Sequence, residues 1–209
     1  CALPIWLTFF AAHKSKAHGS ASEGNYTVQM ASPPCPMKGK PCEVTFQLTD
    51  SDTGRPLSDA ELSVVHTRPL HTMIIDSSLR DYHHLHPTYD PARKLFVCQF
   101  TPQLQGNYAM WNDFTVKGEA QPTHIKTELG ALRGLCLPTR VEHASSAMGD
   151  GLSVHLGSDQ RLRANSEAMI SVDMRDAAGR PVVDLEPIMG AYAHLVGFSA
   201  DGKHFIHTH

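Results

Sequence analysis

The chain lacks the sequence patterns that mark the common enzyme classes and helical membrane proteins. Its 209 residues contain no G-x-S-x-G nucleophile elbow, no glycine-rich phosphate-binding loop and no H-E-x-x-H motif. No apolar run is long enough to span a bilayer, and hardly any stretch has the 3.6-residue periodicity of an amphipathic helix. Because no catalytic pattern is present, we predict that the protein is not an enzyme.

Positive charge is also scarce. Lys and Arg total 18 against 21 Asp and Glu, which gives a net charge of −3 and an isoelectric point near 6.5, and the basic residues form no cluster. Nucleic acids and anionic membrane surfaces are recognised mainly through such clusters. We therefore expect no nucleic-acid partner.

The residues that are present favour an all-β protein. The chain is 41% apolar, has 14 Pro and 15 Gly, and breaks into short β-branched and aromatic runs separated by turn residues. Histidine is unusually abundant at 14 residues, and six of these fall in a repeated pattern.

The repeated pattern is H-x12-H-x-H. Each copy has apolar runs on both sides of a short turn, at Ser78-Leu79 in the first copy and Asp201-Gly202 in the second, and so predicts a β-hairpin. Antiparallel pairing about the second turn sets Val196 opposite His207. The histidines are His71, His84 and His86 in the first copy, and His194, His207 and His209 in the second.

The three histidines of each copy are expected at one end of one hairpin face. Residues two apart share a face, and directly opposed residues have Cβ atoms about 4.5–5.5 Å apart. Three such imidazoles can hold a copper or zinc ion and leave one coordination position open. Met73 and Val196 share the histidine face, so we also expect it to be the core face. The alternative is that the histidines only pack and form hydrogen bonds.

The strands that precede the hairpins repeat as well. Val28 and Leu48, in the first two strands, have counterparts 126 residues later in Val154 and Met174. Similar turns follow, in which Gly54 and Gly179 are expected to adopt positive φ.

This repeat predicts two tandem immunoglobulin-like β-sandwich modules. The first spans residues 24–131 and the second residues 150–209, with a linker over 132–149. Strands over 94–129 complete the first module and have no counterpart after the second hairpin. We therefore expect the second module to be incomplete at its C-terminus.

A carboxylate precedes each hairpin at a matching position, Glu61 in the first copy and Glu186 in the second. Each could orient an imidazole through its second ring nitrogen, or act as a further ligand. Each could equally cap a turn, and this is the interpretation that we favour.

The N-terminal residues suggest export. Residues 2–12 form a short apolar run, and small residues follow at 17–21, as at the end of a secretory signal peptide. We assign residues 1–23 to the remnant of such a peptide. A lipoprotein anchored through Cys1 is the alternative.

Export would place the cysteines in an oxidising compartment. Cys35, Cys42, Cys98 and Cys136 could then pair as disulfides, with Cys35 and Cys42 as one possible pair, and the sequence does not determine the connectivity. Together with Met37, Cys35 and Cys42 also offer soft sulfur ligands for Cu(I), although a disulfide or an unpaired buried thiol is the interpretation that we favour.

The run from His194 to His209, with the preceding Gly179-Arg-Pro-Val-Val-Asp-Leu-Glu186, resembles the YtkA-like (FixH/YtkA-related) extracytoplasmic β-sandwich domains of bacteria. Tyr108-Ala-Met-Trp-Asn-Asp-Phe114 is similar to a later strand of the same family. The resemblance covers most of residues 24–209, as one complete and one partial copy. It implies a periplasmic, secreted or membrane-anchored module, sometimes associated with metal handling, and it supplies no catalytic residues.

We therefore expect a periplasmic or secreted protein with one three-histidine metal site in each module, copper first and zinc second. A membrane metal transporter or another extracytoplasmic protein is the expected partner besides the ion. Binding should weaken as the pH falls through the ordinary imidazole pKa of about 6.5, because only neutral imidazole binds a metal. The alternative function is a metal-free scaffold or interaction module with structural histidines.

Overall fold

A computed structural model describes residues 20–31, 36–130, 145–158, 161–163, 166–188, 190–199 and 204–208. These residues fall into two compact units, one within His13–Pro138 and the other within Thr139–His209. Antiparallel strands build both units, and the described residues contain no α-helix, which confirms the all-β prediction. Within the same residues, no helix has the length and apolar character needed to cross a lipid bilayer.

The described part of the first unit consists of short strands and one 3-10 helix. In chain order they are β1 (Ser20–Glu23), β2 (Tyr26–Met30), β3 (Cys42–Asp50), β4 (Pro56–Leu57), the 3-10 helix (Asp59–Glu61), β5 (Leu70–Asp76), β6 (Tyr82–Leu85), β7 (Thr88–Asp90), β8 (Leu95–Phe100), β9 (Tyr108–Phe114) and β10 (Thr123–Leu129).

These strands form two antiparallel sheets that pack as a β-sandwich. One sheet has the order β1-β2-β3-β8-β7, with β4 also paired to β3, and the other has the order β10-β9-β5-β6. Alternation along each strand gives each sheet an apolar face, and the core is buried between the two faces. Phe46 and Phe96 of the first sheet meet Ile74 and Met110 of the second in this core.

The second unit contains β11 (Ser146–Gly149), β12 (Leu152–Ser158), β13 (Ile170–Arg175), β14 (Leu195–Phe198) and β15 (Phe205–Thr208). The first three strands form a sheet in the order β11-β12-β13, and β14 pairs with β15. Each pair is antiparallel.

The strand pairing of the first unit recurs in the second. Val28 pairs with Leu48, and Val154 pairs with Met174, at the spacing that the sequence repeat predicts. The turns after β3 and β13 also correspond, because Gly54 and Gly179 have φ of 69° and 77°. A side chain at either position would be strained, which explains the glycines.

Two strands lie outside the predicted module boundaries. Residues 20–23 fall in the range assigned to the signal-peptide remnant, but they form β1 and pair with β2. Residues 146–149 fall in the predicted linker, but they form β11 and pair with β12 in the same way. Residues 1–19 of the remnant and 132–144 of the linker lie outside the described residues.

Candidate metal centre

The first histidine hairpin, formed by β5 and β6, has the predicted register. Met73 lies opposite His84, and Thr72 lies opposite Leu85. The same register puts His71 opposite His86 and the turn at Ser78-Leu79. The pairing therefore brings the three histidines to one end of the hairpin.

Asp76 fixes the turn that sets this register. Its Oδ1 accepts backbone N–H bonds from Arg80 at 2.7 Å and Asp81 at 2.8 Å, and its Oδ2 accepts one from Ser78 at 2.7 Å. Leu79 adopts a φ of 65°, which closes the turn. A carboxylate that satisfies several turn amides at once holds the two strands in one alignment.

The histidine face is not the core face, contrary to the prediction. Leu70 and Ile74 enter the sandwich core, so His71 and Met73, which alternate with them along β5, lie on the opposite side of the sheet. That side is also buried, because His71 is 3% exposed and Met73 is 0% exposed. Burial on both faces explains why β5 carries apolar residues on both sides, Leu70 and Ile74 on one and Met73 and Ile75 on the other.

His71, His84 and His86 converge on this face. One ring nitrogen from each lies within 4.8 Å of those of the other two. The ring centroids are 5.5 Å apart for His71 and His84, 4.9 Å for His71 and His86, and 5.1 Å for His84 and His86. This cluster could hold a metal ion.

The spacing is close to that of imidazoles on one tetrahedral ion. Metal–nitrogen bonds of about 2.0–2.1 Å would place two ligand nitrogens about 3.3 Å apart and their ring centroids about 5.2 Å apart. Nδ1 of His71 is 3.2 Å from Nε2 of His84. An ion could therefore be accommodated by small side-chain adjustments.

The tautomer of His71 leaves one ring nitrogen with a lone pair that can bind a metal ion. Its Nε2 lies 2.9 Å from the carbonyl oxygen of Val65, which can only accept a hydrogen bond, so Nε2 carries the proton. Neutral His71 therefore presents the lone pair of Nδ1 towards His84. Val65 is itself held in a tight turn by reciprocal backbone hydrogen bonds with Arg68. Such an outer contact is a common way to orient a metal-binding imidazole.

The second hairpin repeats part of this arrangement. Val196 lies opposite His207, as predicted, and the rings of His194 and His207 are 5.9 Å apart. Nε2 of His194 lies 2.8 Å from the carbonyl oxygen of Ile188, the counterpart of Val65. The third predicted ligand, His209, lies outside the described residues.

Of the two carboxylates predicted near the clusters, Glu61 caps the 3-10 helix. Glu61 completes a capping box, accepting hydrogen bonds from the backbone N–H of Ser58 at 2.8 Å and from its hydroxyl at 2.6 Å, and it also pairs with Arg55 at 3.0 Å. These bonds hold the pKa of Glu61 below its usual value. The turn-capping interpretation therefore holds for Glu61, and Glu186 is exposed to solvent.

Two cysteines, Cys42 and Cys98, lie in the sandwich core of the first unit. Cys42 and Cys98 are buried on adjacent strands, where Cys42 opposes Phe100 and Cys98 opposes Val44. Burial, with a smaller effect from Cys42, raises the pKa of Cys98 to about 12. Cys35, the predicted disulfide partner of Cys42, lies outside the described residues.

Sequence reasoning missed a polar row beside the cluster. Asp113 of β9 lies directly opposite His71 of β5 on one side and His124 of β10 on the other. Nε2 of His124 is 3.3 Å from Oδ1 of Asp113. Only the position of Asp113 in an alternating strand could have indicated this row, because neither residue belongs to the repeated motif.

The fold and the cluster define an all-β protein with a three-histidine group that could hold a metal ion. The chain belongs to the family described as a domain of unknown function, DUF8832, whose model matches residues 20–129 and 145–209. No curated protein and no solved structure gives a significant match to the chain.

Proposed function

We propose that the protein is an extracytoplasmic metal-binding protein whose first hairpin holds a copper or zinc ion between His71, His84 and His86. The observation that carries the proposal is the convergence of three ring nitrogens within 4.8 Å. Imidazole suits both ions, and the Irving–Williams order favours copper where copper is available. The second hairpin is proposed to bind an ion through His194, His207 and His209.

Binding or delivery, rather than catalysis, is the proposed role. The sequence contains no recognisable nucleophile or substrate-binding motif. The proposed extracytoplasmic location rests on the N-terminal sequence and on the resemblance to YtkA-like domains. In that location, the natural recipient or donor of the ion would be a membrane metal transporter or another extracytoplasmic protein.

Metal binding can be tested on protein purified without a histidine tag. We expect elemental analysis to find bound copper or zinc, and calorimetric titration with Cu(II) and Zn(II) to show a site that His84→Ala weakens by at least about 100-fold, beyond the range typical of losing an outer contact. His155→Ala is the matched control, because His155 is exposed on β12 and belongs to neither cluster.

The same titration separates this proposal from the scaffold alternative. A scaffold with structural histidines would purify without metal, and His84→Ala would lower its stability without changing any binding. That pair of results would remove the proposed function.

A further inference from the structure

Met73 occupies a position that adjoins the histidine cluster. It lies two residues after His71 on the same face of β5, and it directly opposes His84 on β6. On its other side it opposes Trp111 of β9. Met73 is therefore enclosed in the row next to the one that holds His71 and His86.

Burial keeps this thioether away from solvent. Met73 is 0% exposed and Trp111 is 4% exposed. Met73 is not part of the sandwich core, whose members alternate with it on the opposite face of β5. Directly opposed residues have Cβ atoms about 4.5–5.5 Å apart, and methionine is long and unbranched, so its sulfur can reach the region in which the imidazoles meet.

Three imidazoles on a tetrahedral ion would leave a fourth coordination position open. A thioether is a soft ligand that favours copper, and Cu(I) in particular, over zinc. We propose that Met73 supplies its sulfur as the fourth ligand of a copper ion held by His71, His84 and His86, and that it makes this site selective for copper. This inference rests on the proposed function, because it requires that the histidine cluster binds a metal.

The second hairpin provides an internal comparison. Val196 occupies the position that corresponds to Met73, directly opposite His207. Valine has no atom that can bind a metal. The proposal therefore implies that the first hairpin prefers Cu(I), while the second lacks this preference.

The test uses the full chain with Met73→Leu, a substitution that nearly conserves volume. We expect competition with a Cu(I) chelator to show that Met73→Leu lowers Cu(I) affinity by at least about 10-fold, while Zn(II) affinity stays unchanged. Met110→Leu is the matched control, because Met110 is equally buried but lies in the sandwich core. It should leave both affinities unchanged.

X-ray absorption at the copper edge of the unsubstituted protein gives a readout that needs no variant. Unsubstituted protein grown with selenomethionine should show a selenium neighbour of copper at the first site, and Met73→Leu should lose it. If copper binds the histidines without a sulfur or selenium neighbour, or Met73→Leu keeps full Cu(I) affinity, the role of Met73 is overturned and the proposed function survives. If the unsubstituted protein binds neither Cu(I), Cu(II) nor Zn(II), both proposals fail.

Discussion

His71 shows how one backbone contact can prepare a side chain for metal binding. The carbonyl oxygen of Val65 accepts a hydrogen bond from Nε2–H of His71, so the ring nitrogen that faces the cluster, Nδ1, is the one that can bind a metal. His194 makes the same contact with Ile188. The sequence spacing could predict that the histidines meet, but not which nitrogen each presents, because the carbonyl lies in a loop without a recognisable motif.

Cys98 is the residue whose reactivity the structure predicts most directly. Because burial raises its pKa to about 12, almost none of it is thiolate near neutral pH. We expect iodoacetamide to modify Cys98 at least about 100-fold more slowly in the native protein than in urea, as measured by mass spectrometry of its peptide. Equal rates in the two conditions would show that the strand is not packed as described.

The β5–β6 turn is the element on which the cluster depends. Asp76→Ala removes three acceptor bonds to turn amides and should lower the free energy of unfolding by about 2–4 kcal/mol. It should also weaken metal binding, because the register of His71 against His86 is no longer fixed. Urea denaturation and calorimetric titration measure the two effects.

A matched control for this turn is available in the β7–β8 hairpin. Asp90 accepts backbone hydrogen bonds from Ala92 at 3.0 Å and Arg93 at 3.1 Å, in a turn that carries no histidine. Asp90→Ala should lower stability while leaving metal affinity unchanged. Full metal affinity in Asp76→Ala would contradict the role assigned to the turn.

The capping box at the 3-10 helix predicts a pH dependence of stability. The hydroxyl and backbone N–H of Ser58 lower the pKa of Glu61 in the folded state. The contribution of Glu61 to the free energy of unfolding is therefore present above its unfolded-state pKa. It is lost as the pH falls through its lower folded-state pKa. Glu61→Gln should lower the free energy of unfolding by about 1 kcal/mol near neutral pH. The difference in unfolding free energy from the parent protein should shrink towards about pH 3.

Urea denaturation at both pH values measures this difference. Glu186→Gln is the control, since Glu186 occupies the matching position in the repeat and is exposed. A constant difference between Glu61→Gln and the parent protein across the pH range would rule out the capping-box explanation.

Elements with strong alternation could be predicted, and those without it could not. The hairpin registers followed from apolar runs around short turns, as the pairs Met73–His84 and Val196–His207 show. Strands β1 and β11 were missed, because their Ser- and Ala-rich sequences carry no alternating pattern. The buried outer face of β5 was mistaken for the core face, because both faces of a central strand are apolar.

At the scale of the whole molecule, the two units contain the same type of histidine hairpin with different side chains. In each unit the first histidine of the hairpin, His71 or His194, has Nε2 within hydrogen-bond distance of a loop carbonyl oxygen. The two strands of each hairpin also pair in the same register. The first unit adds Met73 where the second has Val196. A duplicated arrangement of this kind can provide two sites of different metal preference within one chain.

The central claim is that His71, His84 and His86 bind one ion together. Histidine-selective ¹H–¹⁵N NMR of the full chain, titrated with the diamagnetic ion Zn(II), tests it most directly. We predict that ring nitrogens of all three residues shift together and saturate at the same zinc concentration, with Nδ1 of His71 as the ligand and its Nε2–H retained. Zinc binding that leaves these three rings unshifted while other histidines respond would contradict the account.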